Sequence, residues 1–392
     1  MEHTDILVAG GGIAGLAAAA RLGTDGRKVL LVDPAPAEPV GGGDLRTTAF
    51  LRPAIDTLTR AGAWDAMEAV GAPLRTMRIV DAGGRMRRPR ATADFTGAET
   101  GHGLFGWNVP NRAARRALID RLGAMPNVAL HHGAAVETYV PRLDAALCRL
   151  SDGTCVAAKL VVAADGREST LRRLAGIGHR RWSYGQKAIV FAVTHADPHG
   201  GVSTEIHRTG GPLTLVPMPD HEGRPCSSVV WMVPGPRANA LAALDDDALG
   251  AELTAETMGL FGPLRVASPR AVWPIVAQVA HRLTAQRLAL IAEAAHVVPP
   301  IGAQGLNMSL ADIESLAEAT AGQPDPGDPA WLARHQRRQF PQTLARVAGI
   351  DLLNRAARTE AQPLRDLRGL GLAAISGIRP LRRLAIRAGL GG

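Results

Sequence analysis

The spacing of apolar and polar positions opens the chain on a buried strand. Asp5 to Ala9 is a short apolar run, Gly10 to Gly15 is a glycine-rich turn, and Ile13 to Leu22 is an alanine-rich stretch that predicts a helix. Lys28 to Val32 is a second apolar run, and Asp33 follows it. Strand, turn, helix and strand in that order predict a βαβ unit. Asn111 to Leu122 predicts a helix, with Ala114, Leu118 and Leu122 on its apolar face. Lys159 to Ala164 and Arg287 to Ala292 predict two more buried strands, the first running into Asp165-Gly166. Between these lies a different texture. Thr76–Val80, Lys187–Thr194, Leu213–Pro217 and Ser227–Val233 are rich in Val, Ile and Trp and are separated by Gly/Pro turns. They predict an antiparallel sheet inserted into the nucleotide-binding part. Asp245 to Met258 predicts a helix, and the pattern is helical from Trp331 onward. The fold class is therefore α/β. A discontinuous nucleotide-binding domain takes residues 1–75, 101–180 and 275–330, a sheet domain takes 76–100 and 181–274, and a helical region takes 331–392.

Composition narrows the picture. With 392 residues, 46% hydrophobic and 20% charged, the chain can bury a sizeable core and is not expected to be disordered. Its formal charge of +8 is carried by arginine, since Lys28, Lys159 and Lys187 are the only lysines. Such an excess fits an anionic cofactor, an anionic membrane surface or nucleic acid. Aromatic residues are only 4% and no nucleic-acid module is legible, so nucleic acid is not expected as a partner. Cys148, Cys155 and Cys226 have no metal-ligand spacing, and His131-His132 stands alone, so no metal site is expected. Three unpatterned cysteines fit a reducing compartment. Met1 runs directly into the first strand, with no basic leader and no uninterrupted apolar span. The expectation is a cytoplasmic protein, soluble or lying on the inner face of the cytoplasmic membrane.

Gly10-Gly-Gly-Ile-Ala-Gly15 satisfies G-x-G-x-x-G through Gly10, Gly12 and Gly15. Gly10 permits the tight turn, Gly12 lets the backbone approach a pyrophosphate, and Gly15 lets helix and strand pack closely. The helix start offers free N–H groups and a positive dipole end to the phosphates. Asp33, at the end of the second strand, is placed to accept from adenosine ribose hydroxyls. The motif alone does not separate FAD from NAD.

Further segments decide for FAD through a resemblance. Asp44-Leu-Arg46-Thr-Thr-Ala-Phe-Leu, Ala163-Ala-Asp165-Gly166-Arg-Glu-Ser169 and the stretch from Leu290 to Asn307, continued by Leu310-Ala-Asp312, resemble the motifs of class A flavoprotein monooxygenases. Within that class the chain is most similar to the ubiquinone-biosynthesis hydroxylases. Arg46-Thr-Thr-Ala-Phe, Gly211 to Pro217, Val230-Trp231, Gln304-Gly-Leu-Asn307 and the tail from Gly369 through Leu384 carry that likeness over nearly the whole chain. The resemblance implies a Rossmann-type FAD-binding domain with an inserted substrate domain, as in p-hydroxybenzoate hydroxylase, and a helical C-terminus. It implies FAD contacts from Gly10, Gly12, Ile13, Ala14, Gly15, Asp33, Arg46, Arg112, Asp165, Glu293, Gly302, Gln304, Gly305, Leu306 and Asn307. NAD(P)H is the implied reductant and O₂ the co-substrate. A flavin hydroperoxide would hydroxylate the aromatic ring of a polyprenylated phenol or quinone precursor, so no catalytic side chain is required. His296 is expected to be a packed residue rather than a base. Leu215, Pro217, Val230 and Met232 are candidate substrate walls. A helix from Gln304 to about Glu318 would aim its N-terminus at the flavin, where the dipole favours negative charge.

The chain departs from the family's pattern in two places. The usual Gly-Asp before Ala-Ala-His is Ala292-Glu293, and the usual Ala-Gly-Gln-Gly is Gly302-Ala303-Gln304-Gly305. The glutamate keeps the charge at greater reach, and Ala303 puts a Cβ near the path of the ring. The tail sets Leu364, Leu367, Leu370, Ile375, Ile378, Leu381 and Ile386 among Arg365, Arg368, Arg379, Arg382, Arg383 and Arg387. It reads equally as a basic amphipathic helix for an anionic bilayer and as a terminal helix packed on the fold. Three functions stay open: a ubiquinone-pathway hydroxylase working beside other proteins of that pathway, a soluble hydroxylase of a small phenol or secondary metabolite, and a flavin-impaired assembly subunit.

Overall fold

The computed structural model describes residues 1–36, 46–84, 86, 88–101, 103–208, 210–359, 361–378, 380, 382–383, 386 and 389. Asp44 of the predicted Asp44–Arg46 segment, and Arg379, Leu381, Leu384 and Arg387 of the tail, lie outside these residues.

The βαβ unit forms as predicted: strand Glu2–Ala9, helix Ile13–Thr24, strand Val29–Asp33. Glu2–Ala9 pairs in parallel with Cys155–Ala163 on one side and with Val29–Asp33 on the other. Val128–His132 and Leu288–Leu290 extend this parallel sheet at its two ends. Both faces are covered, which is why these strands read as continuous apolar runs. Ile6, Val8, Leu31, Leu160 and Val162 face Leu16 and Leu22 of the first helix and Leu310, Ile313 and Leu316 of helix Gln304–Thr320. Leu7, Leu30, Val161 and Leu290 face the opposite layer, with Tyr139, Leu171 and Ile177.

The second sheet has nine strands among the described residues. Its centre sets His179–Thr194 beside Arg224–Pro234, then Pro212–His221 and Val202–His207, so the chain crosses over from the first of these strands and meanders back to it. The expectation of a purely antiparallel sheet is corrected at one pair. Val202–His207 runs parallel to Thr76–Asp81, because the latter enters from the preceding domain crossing rather than through a hairpin. The boundary expected at residue 274 falls inside strand Ala271–Ala280, and His296–Val297 adds a further strand beyond it. A small third sheet of Thr47–Leu51, Gly106–Pro110 and Ala72–Leu74 was not legible in the chain. The C-terminal region is helical, as expected, in Pro329–Arg358 and Gln362–Gly377.

Candidate active site

The glycine turn is built by contacts that only glycine permits. Gly10 has φ +111°, and a Cβ there would meet the Ala164 carbonyl oxygen at 2.2 Å. A Cβ on Gly15 would meet the Gly10 oxygen at 1.8 Å. At Gly12 nothing lies within 4 Å, so its α-carbon faces open space at the start of the helix. That empty cradle, under free helical N–H groups, is the shape a pyrophosphate requires. Asp33 does not line this space. Its carboxylate accepts from the backbone N–H groups of Gly11 and, at 2.7 Å, Ala35. Gly11, which sequence reasoning passed over, is constrained too: a Cβ there would meet the Asp33 Oδ2 at 2.7 Å. Asp33 therefore holds the turn from behind in this structure.

A cavity of about 1220 Å³ runs from this turn to the second sheet. Gly12, Ile13, Ala14, Gly15, Arg46, Arg112, Glu293, Gly302, Gln304, Gly305 and Leu306 line it, so eleven of the expected cofactor residues are brought together. Its volume exceeds that of an ordinary single-ligand pocket, roughly 300–1,000 Å³, and leaves room for a dinucleotide and a second molecule. Arg46, Arg112, Arg115, Arg116 and Arg167 line it against Asp120, Glu205 and Glu293, a cationic excess suited to a pyrophosphate. Arg46 also lies over the Trp273 ring, 5.2 Å from its centroid. Trp273 is 47% exposed on the cavity wall and was not foreseen.

Asp165 and Asn307 stand behind the wall. Asp165 accepts from Ser169 Oγ at 2.5 Å and from the Leu171 N–H at 3.0 Å, which fixes the turn that presents Gly166 and Arg167 to the cavity. Asn307 accepts from the Leu51 N–H at 2.8 Å and donates to the carbonyls of Ala49 and Ala303, at 2.8 and 2.6 Å. It clamps strand Thr47–Leu51 to the start of helix Gln304–Thr320. That helix extends two residues beyond the expected Glu318.

Both departures from the family's pattern fall on left-handed backbone. Ala292 has φ 55° and Ala303 has φ 57°, a conformation that costs an alanine roughly 1–2 kcal/mol. Neighbouring bonds hold both residues there. The Ala292 N–H donates to Asp312 Oδ2 at 3.1 Å, and Asn307 secures the Ala303 carbonyl. Asp312 is fully buried and also takes His296 Nε2 at 2.6 Å and Gln339 Nε2 at 2.8 Å. His296 is thus a packed partner of Asp312, as expected. Glu293 reaches the cavity with its side chain half exposed and 3.7 Å from Arg167.

The four candidate substrate walls separate by strand parity. Val230 lines the cavity. Leu215 is corrected: it points to the other face of the sheet, into the core with Leu213, Val229 and Leu249. Pro217 is not on the wall, and its carbonyl accepts from Asn108 Nδ2 at 2.8 Å. Met232 shares the face of Val230 but is buried deeper, with Tyr184 and Ile275. The wall is instead made by Ala188, Val190, Thr214, Val216, Ser228 and Val230. The signal that could have found them is the period of two along each strand.

Residues 3–344 match the protein family described as FAD binding domain. The chain belongs to that family. It is 34% identical to ubiquinone hydroxylase UbiL of Rhodospirillum rubrum, over 99% of this chain and 89% of that one. It is 28% identical to the 3-demethoxyubiquinol 3-hydroxylase of Escherichia coli, over 100% and 99% of the two chains. Among solved structures, p-nitrophenol 4-monooxygenase PnpA of Pseudomonas putida superposes with a TM-score of 0.80 at 19% identity, covering 100% of this chain and 99% of that one. The last likeness bears on fold: α/β, with the architecture of FAD-dependent monooxygenases. The family and the open phosphate cradle agree on FAD as the cofactor.

Proposed function

We propose that this chain hydroxylates the aromatic ring of a polyprenylated phenol in ubiquinone biosynthesis, with FAD, NAD(P)H and O₂. The observation that carries the reading is the single cavity joining the glycine turn, the start of helix Gln304–Thr320 and the apolar sheet wall. FAD, when bound, supplies the electron transfer and oxygen chemistry. The protein's own residues bind and orient. Gly12 and the first helix would hold the pyrophosphate, with Arg46 and Arg112 on the same cavity. Glu293 would hold the ribityl hydroxyls, and the N–H groups of Gly305 and Leu306 would favour negative charge on the ring. Asp33, Asp165 and Asn307 act by holding these parts. Val190, Val216 and Val230 keep water from the ring of the substrate.

The flavin-impaired reading loses its motive, since Ala292 and Ala303 are accommodated and the cavity stays open. The tail supports a membrane-surface partner in a modified form. No residue of helix Gln362–Gly377 is buried, and Leu364, Leu367 and Leu370 are 55, 64 and 69% exposed. Two arginines turn inward: Arg368 pairs with buried Asp81 at 2.8 Å and Arg382 with Glu99 at 2.5 Å. Leucines rather than arginines would meet the lipid, on the inner face of the cytoplasmic membrane. Among the described residues no helix is long and apolar enough to cross a membrane.

The test is turnover of purified, FAD-loaded protein with NADH or NADPH and a polyprenylated phenol under isotopically heavy O₂. A product carrying one heavy oxygen is expected. Consumption of donor with no oxygenated product from any quinone precursor would refute the reading.

A further inference from the structure

One carboxylate on the sheet wall has no part in holding the cofactor or the fold. Glu205 is 5% exposed, lines the cavity, and stands on strand Val202–His207 among apolar and hydroxyl neighbours. In register across the sheet it sits beside Thr214, which sits beside Val230, which sits beside Val190. All four line the cavity, so Glu205 closes one end of a continuous substrate-facing row. Its Oε1 lies 2.6 Å from His207 Nε2, two residues on along the same face. Its Oε2 has no partner among the described residues. A carboxylate held by one oxygen and bare on the other presents a free acceptor to a hydroxyl in the cavity.

We propose that Glu205 is the general base that ionises the phenol hydroxyl of the substrate, with His207 as the residue that positions it. The inference rests on the function proposed above and names the residue that prepares the ring for attack. An electrophilic oxygen adds faster to a phenolate than to a phenol, because the ring oxygen then releases electron density into the ring. In the step, the phenol O–H bond breaks, its electron pair stays on the ring oxygen, and the proton moves to Oε2 of Glu205. The Nε2–H of His207 donates to Oε1 throughout and keeps the carboxylate turned to the cavity. When the hydroxylated ring regains aromaticity, the C–H bond at the newly oxygenated carbon breaks, its electron pair returns to the ring and its proton goes to the oxygen left on the oxygen donor, while the ring oxygen takes its proton back from Glu205 and the carboxylate is restored. No proton is gained or lost by the pair over a cycle.

The surroundings of the pair are defined. Strand Thr76–Asp81 presents Asp81 beside His207, held by Arg90 at 2.6 Å and Arg368 at 2.8 Å. The tail helix presents Arg368, which donates to the His207 carbonyl at 3.1 Å. Strand Pro212–His221 places Pro212 and Thr214 opposite the pair, neither of which titrates. Arg208 is engaged by Glu256 at 3.0 Å.

The experiment compares FAD-loaded wild type with Glu205→Gln on the same phenol, measuring hydroxylated product per NAD(P)H consumed from pH 6 to about pH 10, with FAD content fixing the enzyme concentration. At pH 7 the product rate should fall on the order of 100-fold, the scale of general-base catalysis. The gap should narrow as the pH approaches the phenol's own ionisation near about 10. Wild-type coupling at pH 7, or a loss of constant size across the pH range, would overturn the proposal. Should Glu205→Gln fail to fold, His207→Gln serves. A smaller loss with the same narrowing toward high pH is expected, and a loss without that trend counts against the pair. Wild-type protein that oxygenates no phenol would instead remove the functional reading on which the pair depends.

Discussion

Two alanines sit where the backbone asks for glycine, and their cost is measurable. Ala292→Gly and Ala303→Gly should each stabilise the protein by about 0.5–1 kcal/mol, the left-handed strain relieved less the extra freedom of glycine in the unfolded chain. Urea unfolding of both variants checks this, and an unchanged or lower midpoint would show that the strain is absent. Asp312 is what holds Ala292 and His296 in place. Asp312→Ala should cost about 3–5 kcal/mol, because it leaves buried donors unpaired. His335 adds a pH dependence. It is fully buried behind Ser315, and burial pushes its imidazole down to about 4. The unfolded chain then binds a proton that the folded chain refuses. Stability is therefore full above about pH 6.5 and falls as the pH drops toward 4, by roughly 3 kcal/mol. His335→Met should flatten that stretch of the stability curve, and an equally steep fall in the variant would exclude His335 as its source. The departures at residues 292 and 303 were legible in the chain. That they fall on positive φ was not, because backbone conformation there is set by Asp312 and Asn307, 20 and 4 residues away.

At the scale of elements, the first βαβ unit was almost wholly legible, since its glycines, apolar runs and acid obey local rules. The structure separates what its glycines do. Gly15→Ala should abolish folding, because the added methyl meets a carbonyl oxygen at 1.8 Å. Gly12→Ala meets no protein atom within 4 Å, so the fold should stand while FAD affinity drops, on the order of 10-fold or more if the methyl takes pyrophosphate space. Circular dichroism and FAD titration of the two variants distinguish these outcomes. Equal FAD affinity in Gly12→Ala would place the pyrophosphate elsewhere. The second sheet was legible as strands but not as faces. Leu215 and Val230 both look like wall residues in a list of apolar side chains. Register puts Leu215 in the core and Val230 on the cavity. A period of two decides which residues share a face, and only packing decides which face meets the substrate.

At the scale of the whole molecule, the tail shows how much local pattern leaves undecided. Its spacing of leucines and arginines reads equally as a lipid-facing and as a packed helix; Asp81 of the second sheet and Glu99 of the turn Gly97–Thr100 draw Arg368 and Arg382 inward, while Leu364, Leu367 and Leu370 stay outside. The hydrogen bond from the Arg382 guanidinium holds the Glu99 carboxyl down at about 2, against the opposing effect of burial. Binding to liposomes, if it follows the proposal, should weaken sharply in Leu367→Asp and respond little to salt. A strongly salt-dependent affinity would return the arginines to the lipid interface. The tail also reaches the cofactor region, where Gln304 Nε2 donates to the Gly389 carbonyl at 2.9 Å and Arg346 donates to Gln304 Oε1 at 2.9 Å.

The sequence by itself determined the βαβ unit, the α/β class, the cofactor family and most of the expected cofactor residues that meet in the cavity, because glycine turns and apolar runs act over a few residues and tolerate little substitution. Tertiary structure alone decided three things. It gave Asp33, Asp165 and Asn307 backbone partners, so that each side chain holds a turn or strand beside the cavity. It chose which sheet face became the wall. It also brought Glu205 to the same cavity as Gly12 and Gln304, residues hundreds of positions apart in places, through long-range strand register that no local pattern carries.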